Sequence, residues 1–219
     1  MELDFDLNKK WDYENGFYLT SDISRIGKFL NHYDIYKRII GLPGDVFEFG
    51  VYKGCSLIRL LTFRNLLENE NSRKVYGFDI FGKFPNELKL ISDRHFVERF
   101  ENEGGEGITK SQLEQFLYNK NFSNYQLIEG DILITLPAFI EQCKFKKISL
   151  LHIDVDVYEP TKLILEMLWN RVVKGGVLML DDYGTVEGET NAVDEFFRNK
   201  NVKIIKPPFN HIPCYIIKE

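Results

Sequence analysis

Two pairs of aspartates carry the strongest chemical signal in this sequence. Asp154 and Asp156 follow an apolar run, ISLLHI, and Asp181 and Asp182 follow a second apolar run, VLML. Residues two apart in an extended strand lie on the same side, so Asp154 and Asp156 start on one side of the chain. One predicted helix and one predicted strand separate the two pairs, and we expect the pairs to be neighbours. The sequence therefore predicts up to four carboxylates in one place.

A cluster of carboxylates favours a bound cation. Two like charges about 4 Å apart repel each other by ~4 kcal/mol at an effective dielectric of about 20, so the cluster needs a counter-ion, protonation or a metal. All-oxygen ligands suit Mg²⁺, Ca²⁺ or Mn²⁺, whereas zinc is disfavoured because no Cys/His pair stands at ligand spacing. A structural alternative stays open, in which Asp181 and Asp182 cap the next helix and Asp156 faces solvent.

A divalent cation at this place predicts chemistry on a hydroxyl group. As a Lewis acid it lowers the pKa of a bound hydroxyl, and it can hold two vicinal hydroxyls of a substrate. A carboxylate that the metal does not fully engage can then take the proton. Asp156 is the first candidate for this general base, and His152 is the second. His152 lies within an apolar run, however, where a histidine is typical of a hydrogen-bonded core.

A glycine-bearing turn, EFGVYKG, indicates where a cofactor would bind. Gly50 and Gly54 permit positive φ and close approach of the backbone, but Glu48 opens the turn and would repel a pyrophosphate. A cationic ligand is favoured instead, and S-adenosylmethionine carries a sulfonium and an ammonium but no phosphate. Asp79, at the end of the next predicted strand, suits its ribose hydroxyls, and Asp131 suits its adenine amino group. A nicotinamide-dependent oxidoreductase on a similar sheet stays open as an alternative.

All these residues are expected at one edge of a parallel sheet. Predicted strands and helices alternate, which is typical of parallel βαβ units, and such sheets bind ligands beyond the carboxyl ends of their strands. The last two predicted strands, 202–205 and 214–217, are too closely linked for a helical crossover and predict a hairpin. We therefore expect a doubly wound α/β sheet of seven strands with one antiparallel strand; an α+β fold is the alternative. A helical preface, 1–42, precedes the sheet, and an insert, 82–120, interrupts it.

Length and composition limit the class of protein. The chain has 219 residues, which predicts a single domain over 1–219. Hydrophobic residues make up 44% and charged residues 28%, which excludes intrinsic disorder. A net charge of −5 provides no global basic surface for nucleic acid. No apolar run reaches the roughly 18 residues of a membrane span. Three scattered cysteines and an acidic N-terminal stretch without signal-peptide character predict a cytoplasmic protein.

Several segments taken together resemble one family. GDVFEFGVYKG, YGFDIFGKFP, LHIDVDVYEPT and GGVLMLDDYG, with the later AVDEFF, are similar to the macrocin O-methyltransferases, over roughly residues 17–217. The resemblance implies a class I methyltransferase (Rossmann-like) fold that uses S-adenosylmethionine and Mg²⁺ to methylate a sugar hydroxyl. It also implies that Asp154, Asp181 and Asp182 hold the metal and that Asp156 is the general base.

The same resemblance implies cofactor residues and a homodimer, but it does not define the acceptor. The family's cofactor residues map onto Glu48, Gly50, Gly54 and Asp79. The insert over 82–120 matches no known acceptor pocket. We expect a sugar hydroxyl on a nucleotide sugar or a glycosylated metabolite. A catechol-type phenol is second, because a chelating diol is the only chemical demand of the site. A catalytically inactive binding protein is a further alternative.

Overall fold

The strands form one mixed sheet. The computed structural model describes residues 5–85 and 88–219. Six strands occur within these residues, in the order β3-β2-β1-β4-β5-β6. They are β1 (Asp45–Phe49), β2 (Val75–Asp79), β3 (Tyr125–Glu129), β4 (Ile148–Ile153), β5 (Val172–Leu180) and β6 (Cys214–Ile217). Strands β1 to β5 are parallel, and β6 runs antiparallel to β5.

Helices connect the strands and cover both faces of the sheet. In the described ranges they are α1 (Lys10–Thr20), α2 (Ile23–Lys37), α3 (Cys55–Leu67), α4 (Ile91–Gly104), α5 (Lys110–Asn119), α6 (Ile132–Gln142), α7 (Tyr158–Leu168) and α8 (Glu187–Phe197). Two short 3₁₀ turns, Leu7–Lys9 and Trp169–Arg171, complete the helical elements of that part of the chain. None of these helices is long and apolar enough to cross a membrane.

Each central strand contributes to two separate cores. Successive residues of a strand point to opposite faces. Phe47 and Leu151 accordingly pack in the core beneath α6, α7 and α8, whereas Val46 and Leu150 pack in the core beneath α2, α3 and α5. Apolar side chains on both faces are what a strand between two helical layers requires. The doubly wound arrangement and the single antiparallel strand are confirmed.

The expected seventh strand does not form. Of the segment 202–205, only Ile205 joins the sheet, through an isolated antiparallel bridge to Tyr215. Two residues farther along this ladder, the facing positions are Pro207 and Pro213, and neither has an N–H to donate. The prolines end the ladder on the side of the turn, and on the other side residues 202–204 form no bridge to β6. The expected hairpin is therefore reduced to one bridge, and the sheet has six strands in the described residues.

The predicted preface and insert each contain two helices. The preface over 1–42 contains α1 and α2, and the insert over 82–120 contains α4 and α5. Residues 1–4 and 86–87 fall in these segments but lie outside the described residues. Helix α2 packs on α3, and α4 contacts α8.

Candidate active site

A cavity of about 400 Å³ lies at the carboxyl ends of the parallel strands. This is the edge where ligands bind in open α/β sheets. The predicted site residues in its wall are Gly50, Asp79, Asp131, Asp154, Asp156, Asp181 and Asp182. The remaining predicted residues, Glu48, Gly54 and His152, do not line it.

Three of the predicted carboxylates face one another. One carboxylate oxygen from each of Asp154, Asp156 and Asp182 lies within 4.8 Å of the other two. Asp154 and Asp156 follow β4, Asp182 follows β5, and these strands are neighbours in the sheet. Asp156 has a φ of 62°, in the left-handed region that aspartate and asparagine tolerate better than most residues. We call Asp154, Asp156 and Asp182 the carboxylate trio.

The acidity of the trio is strongly altered by its surroundings. Burial raises the pKa of Asp154 well above its usual range, and the charges of Asp181 and Asp182 raise it further. Burial and the charge of Asp156 raise the pKa of Asp182 in the same way. The pKa of Asp156 rises to about 7 through burial and the charge of Asp154. A divalent cation relieves this crowding of negative charge, and three oxygen donors fit Mg²⁺ or Mn²⁺.

Asp181 has different partners from its neighbour Asp182. Lys28 on α2 donates a hydrogen bond to Oδ2 of Asp181. The other oxygen, Oδ1, lies 3.5 Å from Nε2 of His152 and 3.7 Å from Nε2 of His32. Burial alone would raise the pKa of Asp181, but Lys28 and the two histidines outweigh it and hold that pKa well below its usual range. The structure therefore brings Asp154 and Asp182 together but places the Asp181 carboxylate in a second group.

Glu48 and His152 form a buried pair behind the cavity wall. They are side by side in the register of β1 and β4, and both are fully buried. Oε1 of Glu48 lies 3.1 Å from Nδ1 of His152. Burial alone would lower the pKa of His152, but Asp181 and Glu48 outweigh it and raise that pKa to about 10. The pair thus places a buried positive charge beside Asp181.

Gly50 allows the loops after β1 and β4 to touch. Its φ is +87°, and a Cβ at this position would lie 1.7 Å from the carbonyl oxygen of Asp154. Gly54, with a φ of +81°, is the N-cap of α3. The two predicted glycines therefore fix how closely the glycine turn approaches the carboxylate trio and where α3 begins.

Asp79 and Asp131 lie on the opposite side of the cavity from the trio, at the ends of β2 and β3. Oδ2 of Asp79 accepts hydrogen bonds from the backbone N–H groups of Val51 and Tyr52, at 2.6 and 2.9 Å. Asp131 caps α6, and its Oδ1 accepts from the N–H of Leu133 at 2.8 Å. Asp79 thus holds the glycine turn in place while its carboxylate borders the cavity.

Glu189 is a site residue that the sequence did not indicate. Its side chain is fully buried, and Oε1 accepts a hydrogen bond from the N–H of Asp182 at 3.1 Å. Its own N–H donates to the carbonyl of Asp156 at 3.1 Å. Glu189 therefore joins the two loops that carry the trio. Acidic residues are common in the first turn of helices, so nothing in the local sequence distinguishes this one.

Lys28 and His32 are the other residues that the sequence analysis missed. They are four residues apart on α2, which places them on one face of the helix, and both turn toward Asp181. His32 is fully buried, and burial lowers its pKa to about 4. The sequence feature that could have indicated them is the spacing of a lysine and a histidine one helical turn apart on α2, near otherwise apolar positions.

The parallel sheet, the glycine turn and the acids after β2 and β3 define an α/β fold of the methyltransferase type. The O-methyltransferase NovP matches it with a TM-score of 0.76 and 23% identity, over 88% of this chain and 80% of that one. A structure of the MycE methyltransferase with Mg, SAH and mycinamycin VI matches with a TM-score of 0.51 and 14% identity, over 87% of this chain and 48% of that one. Both structural similarities show a shared fold and nothing further.

The family follows from the sequence as a whole. The family model of the Macrocin-O-methyltransferases (TylF) matches residues 29–216, and the chain belongs to this family. One relative is the 8-demethyl-8-(2,3-dimethoxy-alpha-L-rhamnosyl)-tetracenomycin-C 4'-O-methyltransferase of Streptomyces olivaceus, 28% identical over 161 residues, or 71% of this chain and 59% of that protein. The chain spans 56–59% of the length of the curated relatives it matches. Family membership does not favour a nicotinamide-dependent oxidoreductase or a catechol-type enzyme.

Proposed function

We propose that this protein transfers a methyl group from S-adenosylmethionine to a sugar hydroxyl with the help of a divalent cation. The observation that carries the proposal is that a single cavity contains the carboxylate trio together with Gly50 and Asp79. That cavity offers acidic groups for a cation on one side and a glycine turn with a strand-end acid on the other. Family membership supports the transfer of a methyl group to oxygen.

The donor would bind along the ends of β1, β2 and β3. Asp79 would accept a hydrogen bond from a ribose hydroxyl through Oδ1. The N–H groups of Val51 and Tyr52 donate to Oδ2, and the N–H of Phe81 uses only one lone pair of Oδ1. Asp131 would accept from the adenine amino group, and Gly50 would let the backbone approach the donor. S-adenosylmethionine supplies an activated methyl group on a positively charged sulfur. The task left to the chain is alignment of donor and acceptor.

Two members of the carboxylate trio would hold the cation. Asp154 and Asp182 are the proposed ligands, and Asp181 would join them only by exchanging Lys28 for the metal. A bound divalent cation supplies Lewis acidity, which lowers the pKa of a hydroxyl that it contacts. The Mg named in the MycE complex supports magnesium as the cation. Glu48 and His152 would support the site indirectly, because they place positive charge beside Asp181.

Asp156 is the proposed general base. Its side chain lines the cavity, whereas His152 is fully buried behind the wall and faces Glu48 and Asp181. Asp156 is also fixed from behind, because the N–H of Glu189 donates to its carbonyl. Asp156 would accept the proton of the acceptor hydroxyl as the hydroxyl oxygen bonds to the methyl carbon and the bond from that carbon to the donor sulfur breaks.

The proposed acceptor is a sugar hydroxyl, on a nucleotide sugar or on a glycosylated metabolite. The support is the name of the Streptomyces olivaceus relative, a 4'-O-methyltransferase of a rhamnosyl-tetracenomycin. Vicinal hydroxyls of a sugar also meet the chemical demand of a cation at the trio, because they offer two oxygens to one ion.

Transfer of a labelled methyl group tests the proposal. The protein is incubated with labelled S-adenosylmethionine and a panel of nucleotide sugars, glycosides and a catechol, with and without a chelator. We expect label on a sugar, its loss with the chelator and its return with excess Mg²⁺. Asp154→Ala should abolish transfer. Undiminished transfer in the chelator or in this variant would end the metal part of the proposal, and label on the catechol alone would end the sugar part.

A further inference from the structure

Two arginines in the cavity wall form no salt bridge with any of the described residues. The cationic side chains that line the cavity are Arg25, Lys28, Lys53, Arg59 and Lys89. Each lysine has its own acceptor: the Asp181 carboxylate for Lys28, the Gly104 carbonyl for Lys53 and the Glu159 carboxylate for Lys89. Within residues 5–85 and 88–219, Arg25 and Arg59 form neither a salt bridge nor a side-chain hydrogen bond. Their charges are therefore available to a ligand in the cavity.

The two arginines also influence each other. Burial lowers the pKa of Arg59, and the charge of Arg25 lowers that pKa further. Nearby Cys55 opposes this shift, as do the more weakly acting charges of Asp181 and Glu48. The guanidinium of Arg59 lies 5.9 Å from the centre of the Phe29 ring, which limits its orientations. Arg25 is exposed and Arg59 is partly buried, and two like charges near each other favour a negatively charged group between them.

Backbone groups at the start of α3 favour the same kind of ligand. The N-cap of α3 is Gly54, which provides no side-chain hydrogen bond to the first turn. Ser56, in that first turn, lines the cavity. The first N–H groups of a helix lack intrahelical partners and carry partial positive charge, so they attract anions. Arg59 stands one turn farther along the same helix.

The order of the strands indicates which negative group would arrive here. Asp79 and Asp131, at β2 and β3, are the proposed adenosine residues, and the trio lies at β4 and β5. Strand β1, with the glycine turn and α3, stands between them. A donor that extends from β3 toward the trio would place its amino-acid part over β1 and beside α3. That part carries the single carboxylate of S-adenosylmethionine.

On the basis of the proposed function, we propose that Arg25 and Arg59 bind the carboxylate of the amino-acid part of S-adenosylmethionine. The acids of the trio attract the sulfonium, and the arginines attract the carboxylate. Opposite charges at the two sides of the cavity would then orient the donor with its methyl group toward the acceptor. Selectivity for donors with an intact amino-acid part follows from this arrangement.

Calorimetry with two ligands tests this assignment without any turnover. S-adenosylhomocysteine keeps the carboxylate, whereas 5'-methylthioadenosine keeps the adenosine and the sulfur but lacks the amino-acid part. We expect Arg59→Met and Arg25→Met each to weaken S-adenosylhomocysteine binding by about 10- to 100-fold, the range of charge-assisted hydrogen bonds. Binding of 5'-methylthioadenosine should change by less than about threefold, which also shows that each variant is folded. Arg59→Lys should recover part of the loss.

Lys89→Met is the matched control, since it removes a cavity cation that already has an acceptor, Glu159. Its affinity for S-adenosylhomocysteine should stay within about threefold of the wild type. Equal losses for both ligands in Arg59→Met, or an unchanged affinity for S-adenosylhomocysteine in Arg25→Met, would overturn the carboxylate site while the donor proposal stands. A wild-type protein that binds neither ligand would overturn both proposals.

Discussion

The carbonyl oxygen of Asp154 occupies the space that a side chain on Gly50 would need. A Cβ at position 50 would lie only 1.7 Å from that oxygen. The contact connects the glycine turn after β1, on the donor side, to the loop that begins the carboxylate trio. The donor side of the cavity and the carboxylate trio therefore keep their relative positions only while residue 50 has no side chain.

Gly50→Ala should destabilise the protein and weaken donor binding together. A non-glycine residue at a φ of +87° costs about 1–2 kcal/mol, and displacement of the Asp154 backbone adds to that cost. We expect the free energy of unfolding in urea to fall by at least about 3 kcal/mol. The affinity for S-adenosylhomocysteine should fall at least tenfold by calorimetry.

Gly41→Ala is the control for this variant. Gly41 has a similar φ of +84°, but a Cβ there would meet nothing within 4 Å. It should lose only the backbone cost of about 1–2 kcal/mol and keep full donor affinity. Equal losses of stability in the two variants would show that the Gly50–Asp154 contact is unimportant.

Asp154→Asn and Asp156→Asn should separate metal binding from proton transfer. If Asp154 is a ligand, its loss weakens binding of Mg²⁺ or Mn²⁺ by at least tenfold in calorimetry. If Asp156 is the base, its loss leaves metal affinity within about threefold and lowers kcat by at least a hundredfold. Asparagine is the suitable replacement at position 156, because it tolerates the φ of 62°.

Metal affinity in the Asp156→Asn protein decides between the two roles. A loss as large as that of Asp154→Asn would make Asp156 a ligand. A wild-type kcat would transfer the base role to another group. Asp12→Asn on α1, whose residues are all unburied, is the control and should change neither quantity.

Glu48→Gln and His152→Phe should be strongly destabilising and strongly coupled. Each change leaves a buried charged or polar partner without its contact, and such losses cost about 3–5 kcal/mol. In a double-mutant cycle measured by urea unfolding, we expect a coupling energy of at least about 1 kcal/mol. Asp34→Asn, which breaks a partly exposed pair with Arg38, should cost about 0.5 kcal/mol or less. Additive losses of the free energy of unfolding in the double variant would contradict an energetic coupling between Glu48 and His152.

Glu189→Ala should weaken metal binding more than Glu189→Gln does. Glutamine keeps an oxygen that can accept from the N–H of Asp182, whereas alanine leaves that partly buried N–H without this partner. We expect a loss of metal affinity of at least fivefold for alanine and less than threefold for glutamine. Equal losses would mean that the negative charge of Glu189, rather than its hydrogen bond, supports the trio.

The sequence by itself determined the fold class and the edge of the sheet where the site lies. Apolar runs that end in acids, alternating with helices, are consistent with a doubly wound parallel sheet. In such a sheet Asp79, Asp154 and Asp182 must reach the same edge, because parallel strands end together. The sequence did not determine the number of strands. Residues 202–205 have the apolar character of a strand, but only Ile205 pairs with β6, and that pairing is not visible in the order of residues.

Only the tertiary structure decided how the acids are divided. Asp181 and Asp182 are adjacent in the bend that follows β5, and their side chains meet different partners. Asp182 joins the trio, while Asp181 meets Lys28, which is 153 positions away in the chain. Glu189 was recognisable only when its helix was seen to pack behind both loops. These contacts join segments distant in sequence, and their identity depends on packing that local patterns do not encode.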